Sequence, residues 1–197
     1  MLSAMNDIKI TLARKDYQLK QVLQLQQANV IDAVDADAAL SEGFVTATHD
    51  LPLLKQMTAS AASVIALRER TVLGYCLAMT REFGQAIPVL APLVERQDSI
   101  EHRGVLLGES DYLGMGQICV AREARGKKLP DRMYKYLRAC YHLRYPYCVT
   151  AIDVRNTRSQ RVHARIGFEE LDRFTSPDGR DWILVIWNWR DGMEGFD

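Results

Sequence analysis

The sequence predicts an α/β or α+β domain built around one mixed sheet and spanning residues 1–197. Apolar runs of strand length alternate with segments of helical periodicity, which is the pattern of helices packed on a sheet. One run, Cys148–Ile152, is apolar on both faces, as expected of a central strand that is covered on each side. The chain closes on two strand-like runs joined by the turn Ser176-Pro177-Asp178-Gly179, which predicts a terminal hairpin.

The N-terminal half opens on a strand followed by a helix. Ile8–Leu12 alternates between apolar and polar residues, as strands do. Asp16 is expected to cap a helix that reaches about Asn29 and carries an apolar stripe. The other elements predicted here are a helix from His49-Asp50 to about Ala61, strands at 63–67 and 71–79, and a helical segment at Leu90–Ile100.

The C-terminal half carries the densest functional pattern, between Gly116 and Phe168. An apolar strand ending at Val120 leads into a basic turn, and an amphipathic helix follows it. A buried strand then delivers Asn156 to the start of a short helix. The predicted bounds are a strand at Gly116–Val120, a turn at Arg125–Pro130, a helix at Asp131–Arg144, strands at Cys148–Val154, Glu169–Phe174 and Trp182–Trp189, and a helix from Asn156 to Ile166.

Composition excludes several classes of protein. No apolar run approaches the roughly 18–20 residues of a membrane span, so we expect no membrane partner. The N-terminus lacks the basic start and apolar core of a signal peptide. The four cysteines have neither metal-ligand spacing nor the density of a disulfide framework, so we expect a reduced cytoplasmic protein without a metal site. They are Cys76, Cys119, Cys140 and Cys148.

Charge is concentrated although the net charge is zero. Residues 122–165 hold twelve Lys and Arg against three acids, a balance of +9, and the remainder therefore carries −9. A protein that binds nucleic acid nonspecifically is more often basic throughout or has a basic tail. One compact positive segment favours a small polyanion, with a solvated helix surface as the alternative for each single residue.

The turn at Arg125–Pro130 has the features of a phosphate site. Backbone N–H groups at the start of a helix lack partners and carry partial positive charge. Gly126 allows close approach of a ligand, and the neighbouring Arg and Lys side chains add charge. Pro130 is tolerated in a first helical turn but removes one donor. Taken alone, the same four letters, Arg-Gly-Lys-Lys, also suit an ordinary surface turn.

The helix after Asn156 has three faces. Val162 and Ile166 form the face expected to be buried. Asn156, Ser159 and His163 share another face and can point at one ligand. The alternatives are a simple helix cap for Asn156 and a semi-buried packing role for His163. The third face is a basic stripe made of Arg158, Arg161 and Arg165.

These pieces, in this order, resemble the GNAT superfamily of N-acetyltransferases, most closely over Gly116–Phe168. The resemblance rests on Ile118-Cys119-Val120, on Arg-Gly-Lys at 125–127, and on Asn156 with the residues that follow it up to Gly167-Phe168. It implies a mixed, twisted sheet of about seven strands that splays after the fourth, with helices on both faces. It also implies acetyl-CoA as the acyl donor and an amine as the acceptor.

The resemblance assigns roles to individual residues. In this fold the splayed strand hydrogen-bonds the pantetheine arm, the basic turn binds the pyrophosphate, and polar residues of the next helix contact the cofactor. The basic turn departs from the family pattern, because Lys128 and Pro130 occupy positions where the family usually has small residues. The residues implied to bind the cofactor are Ile118, Cys119, Val120, Arg125, Gly126, Lys127, Lys128, Leu129, Pro130, Asn156 and Ser159.

Two residues are predicted to transfer protons. His163 stands where many relatives carry a Tyr thought to protonate the departing thiolate, and histidine can serve this role or be a packing substitute. A base for the amine is expected near the fourth strand, where Glu109 and Asp111 are the nearest acids. Asp111 is preferred, with an ordinary loop carboxylate as the alternative.

The acceptor is not specified by the sequence. The expected reaction is direct attack of a primary amine within a ternary complex, with a small-molecule amine or amino acid favoured over a protein. Acidic residues in and around the Glu42–Thr48 region suit a cationic amine; they are Asp32, Asp35, Asp37, Glu42 and Asp50. The alternatives are a non-catalytic CoA-sensing or protein-binding module on the same fold and, more distantly, a nucleic-acid binder, and a homodimer stays open.

Overall fold

The computed structural model describes residues 7–30, 43–46, 48–87 and 90–191. Within these residues nine strands alternate with six α-helices. The strands are β1 (Ile8–Leu12), β2 (Val64–Arg68), β3 (Thr71–Thr80), β4 (Glu101–His102), β5 (Val105–Leu106), β6 (Tyr112–Val120), β7 (Tyr147–Asp153), β8 (Glu169–Thr175) and β9 (Asp181–Asn188).

The helices follow the predicted order, with one addition. They are α1 (Asp16–Gln27), α2 (Leu51–Ser60), α3 (Arg81–Ala86), α4 (Ala91–Asp98), α5 (Leu129–Tyr141) and α6 (Thr157–Ile166). None of the helices in the described residues is both long enough and apolar enough to cross a bilayer. The described residues also contain no cluster of His, Cys, Asp and Glu able to hold a metal ion.

Seven strands form one mixed sheet in the order β1-β2-β3-β6-β7-β9-β8. Neighbouring strands are antiparallel except β6 and β7, which are parallel. Side chains of β3 alternate between the faces: Cys76 belongs to the core cluster that contains residues of α5, and Tyr75 to the one that contains residues of α1 and α2. This two-sided burial explains why β3 is apolar along nearly its whole length, and it confirms the predicted fold class.

The sheet opens between β6 and β7. The two strands pair only at their starts, where Tyr112–Gly114 faces Tyr147–Val149. Along β6 the register against β3 shifts so that Gly116 is an extra residue, which is a β-bulge. Bulges bend a strand and increase its twist. The end of β6 therefore leaves β7, while β7 continues along β9 to Asp153.

The structure differs from the predicted elements in several places. The N-cap of α1 is Lys15 rather than Asp16, and the side chain of Gln18 accepts the Lys15 N–H at 3.0 Å. The spacing of Met133, Leu137, Cys140 and Tyr141 predicts one apolar face on α5, but Cys140 is exposed. In α6 the buried residue is His163, and Val162 and Ile166 are only half-buried. Helix α3 was not predicted, since six residues are too few to show a helical period.

Candidate functional site

A groove of about 500 Å³ lies where the sheet opens. Its walls are the end of β6, the turn that starts α5, one face of α6 and the segment 43–45. All the predicted cofactor-binding residues line it except Lys127. The fold thus brings together two stretches that lie about thirty residues apart in the chain, as the sequence pattern predicted.

The groove is strongly cationic. Among the described residues that line it there are five Lys and Arg and no Asp or Glu. A cleft lined by one sign of charge raises the local concentration of an oppositely charged ligand. The five cations are Arg125, Lys128, Arg158, Arg161 and Arg165.

The end of β6 contributes an open strand edge. Beyond Gly114 no described strand pairs with β6 on the side that faces β7, although β3 pairs with it to Val120. Ile118, Cys119 and Val120 line the groove there. Backbone N–H and C=O groups at such an edge can hydrogen-bond an extended ligand as a further strand would. Burial raises the pKa of the Cys119 thiol to about 11, which disfavours the reactive thiolate near neutral pH.

The basic turn folds through two left-handed residues. Gly126 has φ +79° and Lys128 has φ +53°. Lys128 is the N-cap of α5, and its side chain makes no capping hydrogen bond. A side chain added at Gly126 would meet open space, so the glycine is required by backbone conformation rather than by packing. Lys128 thus keeps the conformation of a glycine at a position where the family usually has a small residue.

Replacing Lys128 by glycine should stabilise the fold relative to Lys128→Ala. A non-glycine residue in the left-handed region costs about 1 kcal/mol or more, and both variants remove the same charge. We expect the free energy of unfolding, measured by denaturant titration, to be about 1 kcal/mol higher for Lys128→Gly than for Lys128→Ala. Equal stabilities, or a more stable alanine variant, would contradict a strained backbone at this turn.

Arg125 ties the turn to its surroundings. Its Nη2 donates to the Asn29 side-chain oxygen at 2.9 Å, and its Nε lies 3.4 Å from the Val120 carbonyl oxygen. Asn29 ends the helix–turn region after α1, so this arginine joins two walls of the groove. Arg125 therefore has a structural role in the groove, and the phosphate contact expected from the resemblance stays a prediction.

Asn156 is the N-cap of α6. Its side-chain oxygen accepts the Ser159 N–H at 3.0 Å, and its Nδ2 donates to the Phe44 carbonyl at 2.9 Å. Val45 in turn donates its N–H to the Asn29 carbonyl at 2.9 Å. Asn156 therefore fixes segment 43–45 across the opening of the sheet. Asn29 and Phe44 were missed by sequence reasoning, because nothing local to them marks a site.

His163 lies at the groove but has no free ring N–H. Its Nδ1 lies 2.8 Å from the Ser159 carbonyl, an acceptor only, so Nδ1 carries the proton. Nε2 then accepts the Tyr134 hydroxyl at 2.7 Å. Burial lowers the pKa of His163 to about 4, so the ring is neutral near neutral pH. These contacts favour the packing alternative over the predicted proton donor.

Asp111 is not brought to the groove. It is exposed and directly precedes β6, whereas the groove is at the other end of that strand. Seven residues of strand from Asp111 to Ile118 span about 23 Å. Glu109 lies further back, in a short 3₁₀ turn, Leu107–Glu109. Proximity in sequence was misleading here, because the ends of an extended strand are farther apart than the ends of a helix with the same number of residues.

A second, smaller cavity of about 60 Å³ shares a wall with the groove. It lies between β6 and β7, and among the described residues that line it Asp153 is the only Asp or Glu, with no Lys or Arg. Arg155 donates to both carboxylate oxygens of Asp153, at 3.0 and 2.6 Å, and the pKa of Asp153 is lowered. Ser159 and His163 line both cavities.

Gln117 in this second cavity is held by a buried polar network that sequence reasoning missed. Its side-chain oxygen accepts the Tyr75 hydroxyl at 2.6 Å and the Gln26 amide at 2.7 Å. His49 Nδ1 accepts from the same Gln26 amide at 2.7 Å, and burial lowers the His49 pKa. The predicted acceptor acids Asp32, Asp35, Asp37 and Glu42 lie outside the described residues, and Asp50 caps α2 by accepting the Leu53 N–H.

Comparison by sequence finds no family model and no curated protein that matches the chain. Comparison of structures finds N-acetyltransferases. Arabidopsis thaliana NAA60, solved with acetyl-CoA, superposes with a TM-score of 0.62 at 12% identity and covers 92% of this chain and 99% of its own. The ribosomal-protein-S18-alanine N-acetyltransferase of Escherichia coli gives 0.59 at 10% identity, covering 92% and 93%.

A third neighbour is the putative acetyltransferase yncA of Salmonella typhimurium, solved with its cofactor acetyl-CoA. Its TM-score is 0.57 at 14% identity, and the match covers 94% of this chain and 96% of that one. The GNAT-family acetyltransferase of Streptococcus agalactiae gives 0.62 at 13% identity, covering 92% and 95%. Identities this low establish the architecture alone. The protein therefore has the GNAT fold, which confirms at the level of structure the resemblance seen in residues 116–168.

Proposed function

We propose that this protein is an acetyl-CoA-dependent N-acetyltransferase that acts on a primary amine. The observation that carries the proposal is the difference in charge between two adjoining cavities. Among its described lining residues the groove has five cations and no acid, which suits the phosphates of CoA. The cavity that shares its wall has no Lys or Arg among its described lining residues, and its one carboxylate, Asp153, is paired with Arg155, so this cavity suits a neutral amine. A donor and an acceptor bound in these cavities would meet beside Ser159.

An open strand edge is a further observation that supports a CoA thioester in the groove. The open edge of β6 at Ile118–Val120 offers backbone groups to an extended arm. Lys128 and Arg161 line the groove, and within the described residues their side chains form no hydrogen bond or ion pair with the protein. Within the described residues, these two cations can thus bind phosphates without breaking a side-chain hydrogen bond or an ion pair.

Direct acetyl transfer from the thioester to an amine requires no side-chain nucleophile. A neutral amine nitrogen attacks the thioester carbonyl carbon, the new C–N bond replaces the C–S bond, and an amide and a thiol result. The Ser159 hydroxyl oxygen lies 3.2 Å from His163 Nδ1, and because Nδ1 carries the ring proton, the hydroxyl accepts there and keeps its own proton to donate. The amine loses its proton to solvent, since Asp153 is held by Arg155. The rate should then rise with pH up to the pKa of the amine itself.

The acceptor class is proposed only as a primary amine. A small-molecule amine or amino acid was favoured from the sequence, whereas structural neighbours include enzymes that act on proteins, such as the S18-alanine N-acetyltransferase.

One observation favours a second function: neither His163 nor Asp111 is placed to transfer a proton in the groove. A CoA-binding module without transferase activity is therefore the alternative.

The decisive experiment combines binding and turnover. Acetyl-CoA at about a hundred times its dissociation constant should add about 2.7 kcal/mol to the free energy of unfolding, and CoA should act similarly. Release of free thiol from acetyl-CoA is then followed with a panel of polyamines, amino acids and peptides with free N-termini. Stabilisation with turnover supports the enzyme, and stabilisation without turnover on any amine supports the binding module. Absence of stabilisation by both CoA forms would refute both functions.

A further inference from the structure

Asp131 introduces a negative charge at the start of α5. It is the third residue of that helix and directly follows the basic turn, Arg125–Pro130, at the groove where the proposed function places CoA. A carboxylate in a first turn stabilises the helix dipole, but it also repels an incoming phosphate. Pro130 beside it has no N–H to offer, so this helix start is poorer in donors than its backbone alone would suggest.

Arg165 of α6 covers this carboxylate. Its Nε and Nη2 donate to the two carboxylate oxygens of Asp131 at 3.0 and 2.8 Å, a bidentate pair. The Arg165 guanidinium also holds the pKa of Asp131 below its usual range. Of the two partners, Arg165 lines the groove and Asp131 does not. The member of the pair that an incoming anion meets is therefore the cation.

We propose that Arg165 is a positioning residue that neutralises Asp131, so that the phosphates of the donor can bind at the start of α5. The proposal rests on the proposed function, because it assumes that CoA occupies the groove. It differs from a direct contact between Arg165 and phosphate in one respect. If Arg165 acts through Asp131, its removal matters only while the carboxylate is present.

A double-mutant cycle with CoA itself as the probe separates the two roles. The dissociation constant is measured by calorimetry for the wild type, Arg165→Ala, Asp131→Asn and the double variant. Arg165→Ala should bind CoA about tenfold more weakly, and the double variant should return to within about threefold of the wild type. Asp131→Asn alone should bind CoA at least as tightly as the wild type. High salt should shrink the defect of Arg165→Ala, since screening weakens the exposed repulsion.

The matched control is Arg173→Ala, which removes another bidentate pair, with Glu170, on β8. Its CoA affinity should equal that of the wild type. Thermal unfolding without ligand establishes that each variant is folded, and Arg165→Met replaces Arg165→Ala if alanine destabilises α6. A double variant as weak as Arg165→Ala would overturn the proposal while the proposed function stands. If the wild type bound no CoA, both would fall together.

Discussion

Replacing both Lys128 and Arg161 by glutamate should weaken CoA binding by about a hundredfold or more. Both side chains line the groove, and within the described residues neither forms a hydrogen bond or ion pair with the protein. Reversal turns two attractions into two repulsions in a cleft where fields are focused, and a hundredfold corresponds to about 2.7 kcal/mol. Calorimetric titration of CoA into the double variant measures the effect directly.

The control keeps the same change in net charge away from the groove. Lys135 and Arg144 are exposed basic residues in the same positive segment, 122–165, and neither lines the groove. Lys135→Glu with Arg144→Glu should change CoA affinity by no more than about threefold at moderate salt, because screening removes most of a distant contribution. An equal loss in the control pair would show that the overall field, rather than the groove, holds the ligand.

Lowering the pH from about 7 to about 4 should cost the fold about 3 kcal/mol through His163 alone. The folded-state pKa is about 4, below the ordinary value of 6.5, because the ring is buried. A depressed histidine pKa means that the unfolded chain takes up the proton first. The stabilisation is therefore complete above about pH 6.5, falls as the pH drops, and levels off below about pH 4.

The measurement is the free energy of unfolding in urea across this pH range, for the wild type and His163→Gln. Glutamine is neutral and can still accept the Tyr134 hydroxyl, so it keeps the contact without the titration. His49, whose pKa is also lowered, contributes with the same sign to both proteins, so the difference between the two curves isolates His163. Parallel curves would contradict a buried neutral His163.

The fold was largely predictable because its elements carry local signals. Apolar runs such as Cys148–Ile152 and helical periods such as that of α5 reflect burial against neighbours on both faces of the sheet. The short hairpin of β4 and β5 was missed, since its four paired residues show no alternation. In its turn Arg103 and Gly104 both have positive φ values, and the local sequence does not predict this conformation.

That the predicted cofactor-binding residues would lie together was also predictable. The strand end at 118–120, the basic turn and Asn156 are each contiguous, and a helix start binds anions wherever it occurs in a fold. The start of β6 was predicted wrongly, because the strand begins at Tyr112 instead of Gly116. That difference moved Asp111 to the far end of the strand, and with it the predicted base.

The sequence by itself determined the order of elements, the concentration of positive charge in residues 122–165 and the turn that starts α5, because these depend on neighbours along the chain. Tertiary structure decided what each polar side chain does. Packing against Tyr134 buried His163 and lowered its pKa, and Arg165 pairs with Asp131 across 34 positions of the chain. Partners of this kind are set by the packing of α5 against α6, and no local pattern encodes them.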